Sequence, residues 1–304
     1  MADLQRTHGA GGALIAVGTM DARVLRKVEE EGRATSAVLT HLFIYPVKST
    51  RGIALTSAGV AATGCEWDRR WMIVDENALF ITQRSHPDLA RIVPQITADA
   101  LVLRAPGLPD LFVPFTSGGL PLPVRIWRSQ CVALEEGPEA HEWLSGFLGQ
   151  RVRLVKVSPG MGRVANPEYA KFAPAPINFP DGYPFLVCNQ ASLADLNTRL
   201  PQPMRMECFR PNLVLEGLAP WAEDDIETLT FPGVTLRFVK PCVRCVIPSR
   251  DFKTGENAVN PLPVLRKFRW SRPLKGVLFG ENATLEAGGG ELTLGSRCRI
   301  TWRR

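Results

Sequence analysis

IVPQITADALVLRAPGLPDLFVPFTSGGLPLPVRIWRSQCVAL, residues 92–134, decides the fold class. Five short apolar runs follow one another here: Ile92–Ile96, Leu101–Arg104, Leu111–Phe115, Val124–Trp127 and Val132–Leu134. Proline, glycine and other turn residues break them. Strands that are short, closely spaced and divided in this way mark a barrel or a sandwich. The expected fold is therefore α+β and β-dominated.

The same reading extends outward. Upstream lie a strand over Val38–Val47 and a hairpin made of Arg70–Val74, a turn at Asp75–Ala78, and Leu79–Thr82. Downstream, Pro138–Leu148 reads as a helix, with proline at its start and Gly149 just past its end. Val152–Val157 returns to strand, and residues 158–182 form a long Pro-, Gly- and Asn-rich loop. Loops of that length inside a compact region are usually functional or mobile. Strand Pro184–Cys188 opens the second half. A helix follows over Leu193–Leu200, with Ser192 and Asp195 in capping-box positions and Leu193, Leu196 and Leu200 on one inward face. Further strands are expected at Asn212–Leu215, Thr228–Phe231, Val234–Val239, Val277–Phe279 and Arg297–Trp302. The expected division is a poorly ordered tail over residues 1–35, one domain over 36–155 and a second over 156–304.

Composition narrows the function. The 304 residues are 45% hydrophobic and 22% charged, with Gly 26 and Pro 25, as suits a folded, turn-rich chain. No run approaches the roughly 18 apolar residues of a membrane helix, and a signal peptide is not evident, so cytoplasmic residence is expected. Thirty-six Lys and Arg against 30 Asp and Glu leave a net charge of +6. The basic residues are scattered without interleaved aromatics, which argues against nucleic acid and for a small anionic, phosphorylated ligand. Seven cysteines do not make a secreted disulfide framework, and four unpaired histidines argue against a His-cluster zinc site.

The chemistry concentrates in Pro241-Cys242-Val243-Arg244-Cys245-Val246-Ile247-Pro248. A neighbouring guanidinium favours the thiolate of Cys245, the form that binds metals or attacks electrophiles. Three readings compete for the cysteine pair: a thiol–disulfide couple, a zinc ligand set, and a buried structural pair. The first needs a following helix, which Pro248 and the polar run Ser249–Gly255 do not suit. The second lacks a partner pair, since Cys298 stands alone. Two other groups offer anion-binding chemistry. Tyr45-Pro46-Val47-Lys48-Ser49, with Gly52, ends the first strand and presents an ammonium, a hydroxyl and backbone N–H groups. Phe209-Arg210-Pro211-Asn212-Leu213 presents a guanidinium, held extended by the following proline, and an amide.

Tyr45–Ser49, Trp67-Asp68-Arg69-Arg70-Trp71, Phe209–Leu213 and Arg244-Cys245 stand in the order and spacing of the MOSC family, and the chain resembles its amidoxime-reducing components. Ala191–Asn197 and Leu278-Phe279-Gly280 extend the likeness, which covers roughly residues 38–302. The resemblance implies an N-terminal β-barrel region followed by a MOSC β-barrel domain with a few packed helices. It implies a molybdenum cofactor, molybdenum bound to molybdopterin, with Cys245 as the protein ligand. Lys48, Ser49, Arg69, Arg210, Asn212 and Arg244 would hold the cofactor's phosphate and pterin, and Cys242 would be no ligand. Asp181 matches an aspartate on the substrate side, although Asp before Gly is also an ordinary turn former. The implied reaction is reduction of N-hydroxylated compounds such as amidoximes and hydroxylamines, with nitrite as a secondary substrate.

The chain lacks a dinucleotide or flavin fingerprint, so the resemblance further implies a cytochrome b5-type haem protein as electron donor, fed by an NADH-dependent cytochrome b5 reductase. A carrier of the molybdenum cofactor, or a sulfur-handling module without turnover, is the rival reading. Departures from the family lie at Val246–Arg250 and at Gly182 and Tyr183, where small hydroxylated residues are replaced. The vertebrate membrane anchor does not carry over.

Overall fold

The computed structural model describes residues 33–116 and 119–303. The tail expected over residues 1–35 lies, except for its last three residues, outside the described residues. Seven strands close into a barrel: β1 (Ser36–Ile44), β2 (Phe185–Asn189), β3 (Leu213–Glu216), β4 (Ile226–Phe231), β5 (Val234–Val243), β6 (Gly276–Gly288) and β7 (Arg297–Trp302). Around the ring the order is β2, β3, β1, β7, β4, β5, β6 and back to β2. Only β2 and β3 run parallel. Closure leaves these strands without the free edge that invites unwanted pairing.

Strand β7 shows the period-two logic plainly: Arg297, Arg299 and Thr301 are exposed, while Cys298 and Ile300 are buried. Leu39, Val187, Leu215, Leu229, Leu236 and Ala283 are fully buried on their own strands. Strand β6 runs 13 residues, far beyond the expected Val277–Phe279. It holds the ring together by pairing with both β5 and β2. Gly280 lies within it at φ +75, and a Cβ there would sit 2.7 Å from the Cys188 sulfur. Only glycine allows both that backbone and that approach.

The segment between β1 and β2 builds its own strands. Trp71–Asp75, Val152–Val157, Ser129–Glu135 and Pro121–Ile126 form one antiparallel sheet, in that order. Val93–Ile96, Ala100–Arg104 and Leu111–Pro114 form another. Helix α1 (Pro138–Leu148) has the expected bounds, with Gly149 left-handed at its end. It buries Ala140 and Leu144, four apart on one face, in a core with Trp71, Leu101 and Leu154. Residues 158–182 contain neither helix nor strand, yet they are tied down. Arg163 donates to the carbonyls of Asn178 (2.7 Å) and Pro180 (2.9 Å), and Phe179 is fully buried.

Helix α2 spans Gln190–Asn197 rather than Leu193–Leu200, and the capping box is not formed. Asn189 is the cap, its side chain accepting from the Ala191 N–H at 3.0 Å. Ser192 is drawn into a tertiary contact instead, donating to Glu223 Oε2 at 2.7 Å and accepting from the Trp221 N–H. Asp195 pairs with Arg199 and the Trp221 indole. Helix α3 (Leu262–Phe268) packs against β6. Among the described residues no helix is long and apolar enough to cross a membrane.

The Glu223 carboxyl is wholly buried and accepts from Ser192 and Asn189, but its Oε1 has no partner. Burial outweighs those two bonds and pushes its pKa up from 4.5 to about 7. A carboxyl raised on folding keeps its proton more tightly in the native state. The stability it confers is complete below pH 4.5 and is lost as the pH rises through 7. Buried Glu281 is raised too, again mainly by burial, and acts in the same direction. Glu223→Gln is therefore expected to gain up to about 3 kcal/mol on the wild type between acid and mildly alkaline pH. Urea unfolding at several pH values measures it; a stability difference that does not vary with pH would reject the assignment.

Candidate active site

One cavity of about 330 Å³ is lined by Lys48, Ser49, Arg69, Asp181, Arg210, Asn212, Arg244 and Cys245, every site residue expected from the sequence. They arrive from five segments, and the turn after β1 supplies the first two. There Lys48 N–H donates to the Trp71 carbonyl at 2.8 Å and Ser49 adopts φ 69, its carbonyl accepting from Gln83. The Lys48 ammonium, 5% exposed, donates to the Phe179 carbonyl (2.9 Å) and to Asp181 Oδ1 (2.5 Å). Burial pulls its pKa down, and Asp181 opposes that.

Asp181 Oδ1 also accepts from the Trp127 indole at 3.2 Å, while Oδ2 faces only Arg84, at 3.6 Å. Desolvation raises its pKa, but the Lys48 ammonium, with help from Arg84 and Trp127, overrides it and holds the carboxyl well below the usual range. Asp181 is thus ionised at neutral pH, with Oδ1 committed to Lys48 and Trp127 and Oδ2 facing the more distant Arg84.

Arg69 makes two hydrogen bonds to buried Asp68, at 2.8 and 2.6 Å, and a third to Asn212 Oδ1 at 3.1 Å. Arg210 is not extended, as the following proline suggested. It is left-handed (φ 58, ψ 45), because it closes the short 3-10 helix Met206–Phe209 by donating its N–H to the Glu207 carbonyl. That turn brings its guanidinium onto the Thr50 carbonyl at 2.7 Å. Both guanidiniums lie over the Tyr45 ring, Arg69 at 4.3 Å and Arg210 at 4.1 Å from its centroid. Gly52 makes room for this ring, since a Cβ there would fall 2.5 Å from Tyr45 Cε1. Burial, reinforced by Arg69, lowers the Arg210 pKa to about 10.

Asn212 is buried and spends its amide on the fold. Its Oδ1 accepts from the Leu186 N–H and Arg69, and Nδ2 donates to the Phe43 carbonyl. The guanidinium of Arg244 does not reach for Cys245 by hydrogen bond. It donates to Cys242 Sγ at 3.0 Å and to the Phe209 carbonyl at 2.7 Å, and its Nε is buried without a partner. Cys245 lies half-buried on the cavity wall, followed by a 3-10 turn at Ile247–Ser249 and not by a helix, so the helix-capped geometry of a thiol couple is absent there. Among the described residues no three His, Cys, Asp or Glu side chains converge as a metal cage.

Tyr183, one of the departures from the family, lines the cavity too, and Arg84, Lys240, Thr82 and Asn282 do so without having been expected there. Lys240, directly before Pro241-Cys242, stood close enough to the motif to be considered; the others carried no local signal. Six cationic side chains thus face one lining carboxylate, Asp181. Crowded, partly buried cations of this kind are costly unless an anion joins them, so the cavity fits a phosphate-bearing group.

A closed barrel carrying this cavity places the chain among proteins of one class: it belongs to the MOSC family. The MOSC N-terminal beta barrel domain matches residues 36–151 and the MOSC domain residues 174–297. Its relatives include mitochondrial amidoxime-reducing component 1 of Mus musculus, 32% identical over 281 residues, covering 89% of this chain and 83% of that one. The Homo sapiens component 1 is 33% identical over 258 residues, 80% of this chain and 75% of its own. A molybdenum cofactor sulfurase of Danio rerio is 28% identical over 86% of this chain but only 34% of its own length.

Proposed function

We propose that this chain is a molybdenum-cofactor-dependent reductase of N-hydroxylated compounds. The carrying observation is the convergence of Cys245 and six residues suited to a phosphate and pterin on one cation-rich cavity. Bound there, the cofactor would supply a two-electron redox centre for N–O cleavage. The Cys245 thiolate would be its protein ligand, a soft sulfur donor. Lys48, Ser49, Arg69, Arg210 and Arg244 would hold the anionic tail and planar ring, with arginine forks suited to both. Asn212 holds Arg69 in place and borders the same space.

Each turnover takes up two electrons and two protons, cleaves the N–O bond, and leaves the amidine or amine plus water. Asp181, kept ionised by Lys48 and Arg84, would accept a hydrogen bond from the substrate's N–OH group through Oδ2 and so orient it. The electrons are assigned to a cytochrome b5-type haem protein and its NADH-dependent reductase, since the basic net charge suits an acidic donor. Nitrite would be a second substrate, taking one electron and two protons and losing one oxygen as water to leave nitric oxide. Cytosolic residence is proposed as well, although the relatives are named mitochondrial.

The cofactor-carrier reading draws on the sulfurase relative and uses the same contacts without turnover. Purified holoprotein with NADH, haem protein and reductase separates the two: benzamidoxime should be reduced to benzamidine, detected by chromatography. A carrier would bind molybdenum and pterin and yield none.

A further inference from the structure

Strand β5 alternates buried and half-buried residues from Val234 to Val239 and then loses the alternation. Its pairing with β6 slips between Phe238 and Lys240 and again between Pro241 and Val243. Such bulges re-aim side chains, and here both Lys240 and Cys242 come to line the cavity. The strand is held in that shape by Asn282, whose amide donates to the Lys240 carbonyl at 3.1 Å.

The other five cations of the cavity are engaged: Lys48 and Arg84 with Asp181, Arg69 with Asp68, Arg210 with the Thr50 carbonyl, and Arg244 with Cys242 and Phe209. Among the described residues the Lys240 ammonium has no hydrogen bond or ion pair. It rests over the Tyr169 ring, 4.2 Å from the centroid, which fixes its position without neutralising it. Nor is it one of the residues assigned above to the cofactor.

We propose that Lys240 is a specificity residue that receives an anionic group of the substrate, so that the preferred substrates are N-hydroxylated compounds carrying a carboxylate away from the N–O bond. This deepens the reductase reading and rests on it. A half-buried ammonium held by an aromatic face gains a charge-assisted bond to a carboxylate, worth about tenfold or more in affinity, and a neutral substrate forgoes it.

The test uses holoenzyme, wild type beside Lys240→Met and Lys240→Arg, with benzamidoxime and its para-carboxylate analogue. In the wild type the analogue should have the lower KM. In Lys240→Met the ratio of the analogue's KM to that of benzamidoxime should rise about tenfold, and Lys240→Arg should restore most of it. Binding of benzoate, followed by calorimetry, should weaken by the same factor in Lys240→Met without any need for turnover. An unchanged KM ratio, or equal benzoate binding by wild type and variant, would overturn the proposal. So would loss of molybdenum and pterin from Lys240→Met, which would make Lys240 a cofactor residue. If neither amidoxime is reduced by loaded wild type, the reductase reading fails, while benzoate binding still decides whether Lys240 receives an anion.

Discussion

Cys245→Ala should lose bound molybdenum and all measurable amidoxime reduction while keeping its fold. The side chain is half-buried on the cavity wall and makes no hydrogen bond that the barrel depends on, so its truncation leaves the strands undisturbed. Among the described residues the other thiol on the cavity, Cys242, is engaged by the Arg244 guanidinium and is not placed to take over. Loss of a mere outer partner of a metal site costs roughly 10–100-fold in affinity or activity, and loss of the proposed protein ligand should cost more. Molybdenum by mass spectrometry, pterin by fluorescence and the far-ultraviolet circular dichroism spectrum measure the three quantities. Full molybdenum with full activity in the variant would end the assignment of Cys245 as ligand. Cys242→Ser, run alongside, should retain most activity, whereas a thiol couple would need both sulfurs.

Asp68→Ala should be the most destabilising single change at the site, by about 3–5 kcal/mol. Asp68 is 2% exposed, receives two hydrogen bonds from Arg69 and one from the Tyr45 N–H, and sits beneath the arginine pair. Burial raises its pKa, and Arg69 with the Tyr45 amide counteracts this. Without the carboxylate, Arg69 keeps a buried charge beside Arg210, already pulled down to about 10 by burial and by Arg69 itself. Equilibrium urea unfolding reads the loss directly. A change below about 1 kcal/mol, the worth of an exposed pair, would mean that the arginines are neutralised elsewhere.

Local chemistry was readable wherever it acted locally. Helix α1 has the bounds its proline and Gly149 dictate, and Val152–Val157 and β7 coincide with their apolar alternation. Strand β6 was seen only at Val277–Phe279, because Glu281, Asn282 and Thr284 interrupt the apolar run and Gly280 looks like a break. Those polar residues belong to the strand for tertiary reasons, Glu281 through Arg303 and Asn282 through Lys240. Ser192 and Asn189 are equally good caps in isolation; Glu223, 31 residues away, claims the serine.

The site divides in the same way. Lys48-Ser49, Arg210–Asn212 and Arg244-Cys245 were legible as motifs, and the resemblance placed them on one ligand. Asp68 belongs to the Trp67–Trp71 motif, but its place under Arg69 is set by the fold. Arg84 is an isolated cation in the chain, and only the folded backbone brings it to the cavity, whereas Lys240 adjoins the cysteine motif. The hydrogen bond from Arg244 to Cys242 instead of Cys245 depends on how β5 bulges, which no spacing rule reports.

Strand β1 pairs with β7, Ala37 opposite Cys298. During synthesis the ribosome makes the first of these partners long before the second, so the ring stays open while the chain between them is made. Contacts of such high order fold slowly, and the waiting strand exposes unpaired backbone of the kind that aggregates or recruits chaperones. Expression yield in a foreign host should therefore be governed by the speed of this final docking more than by the stability of the finished molecule.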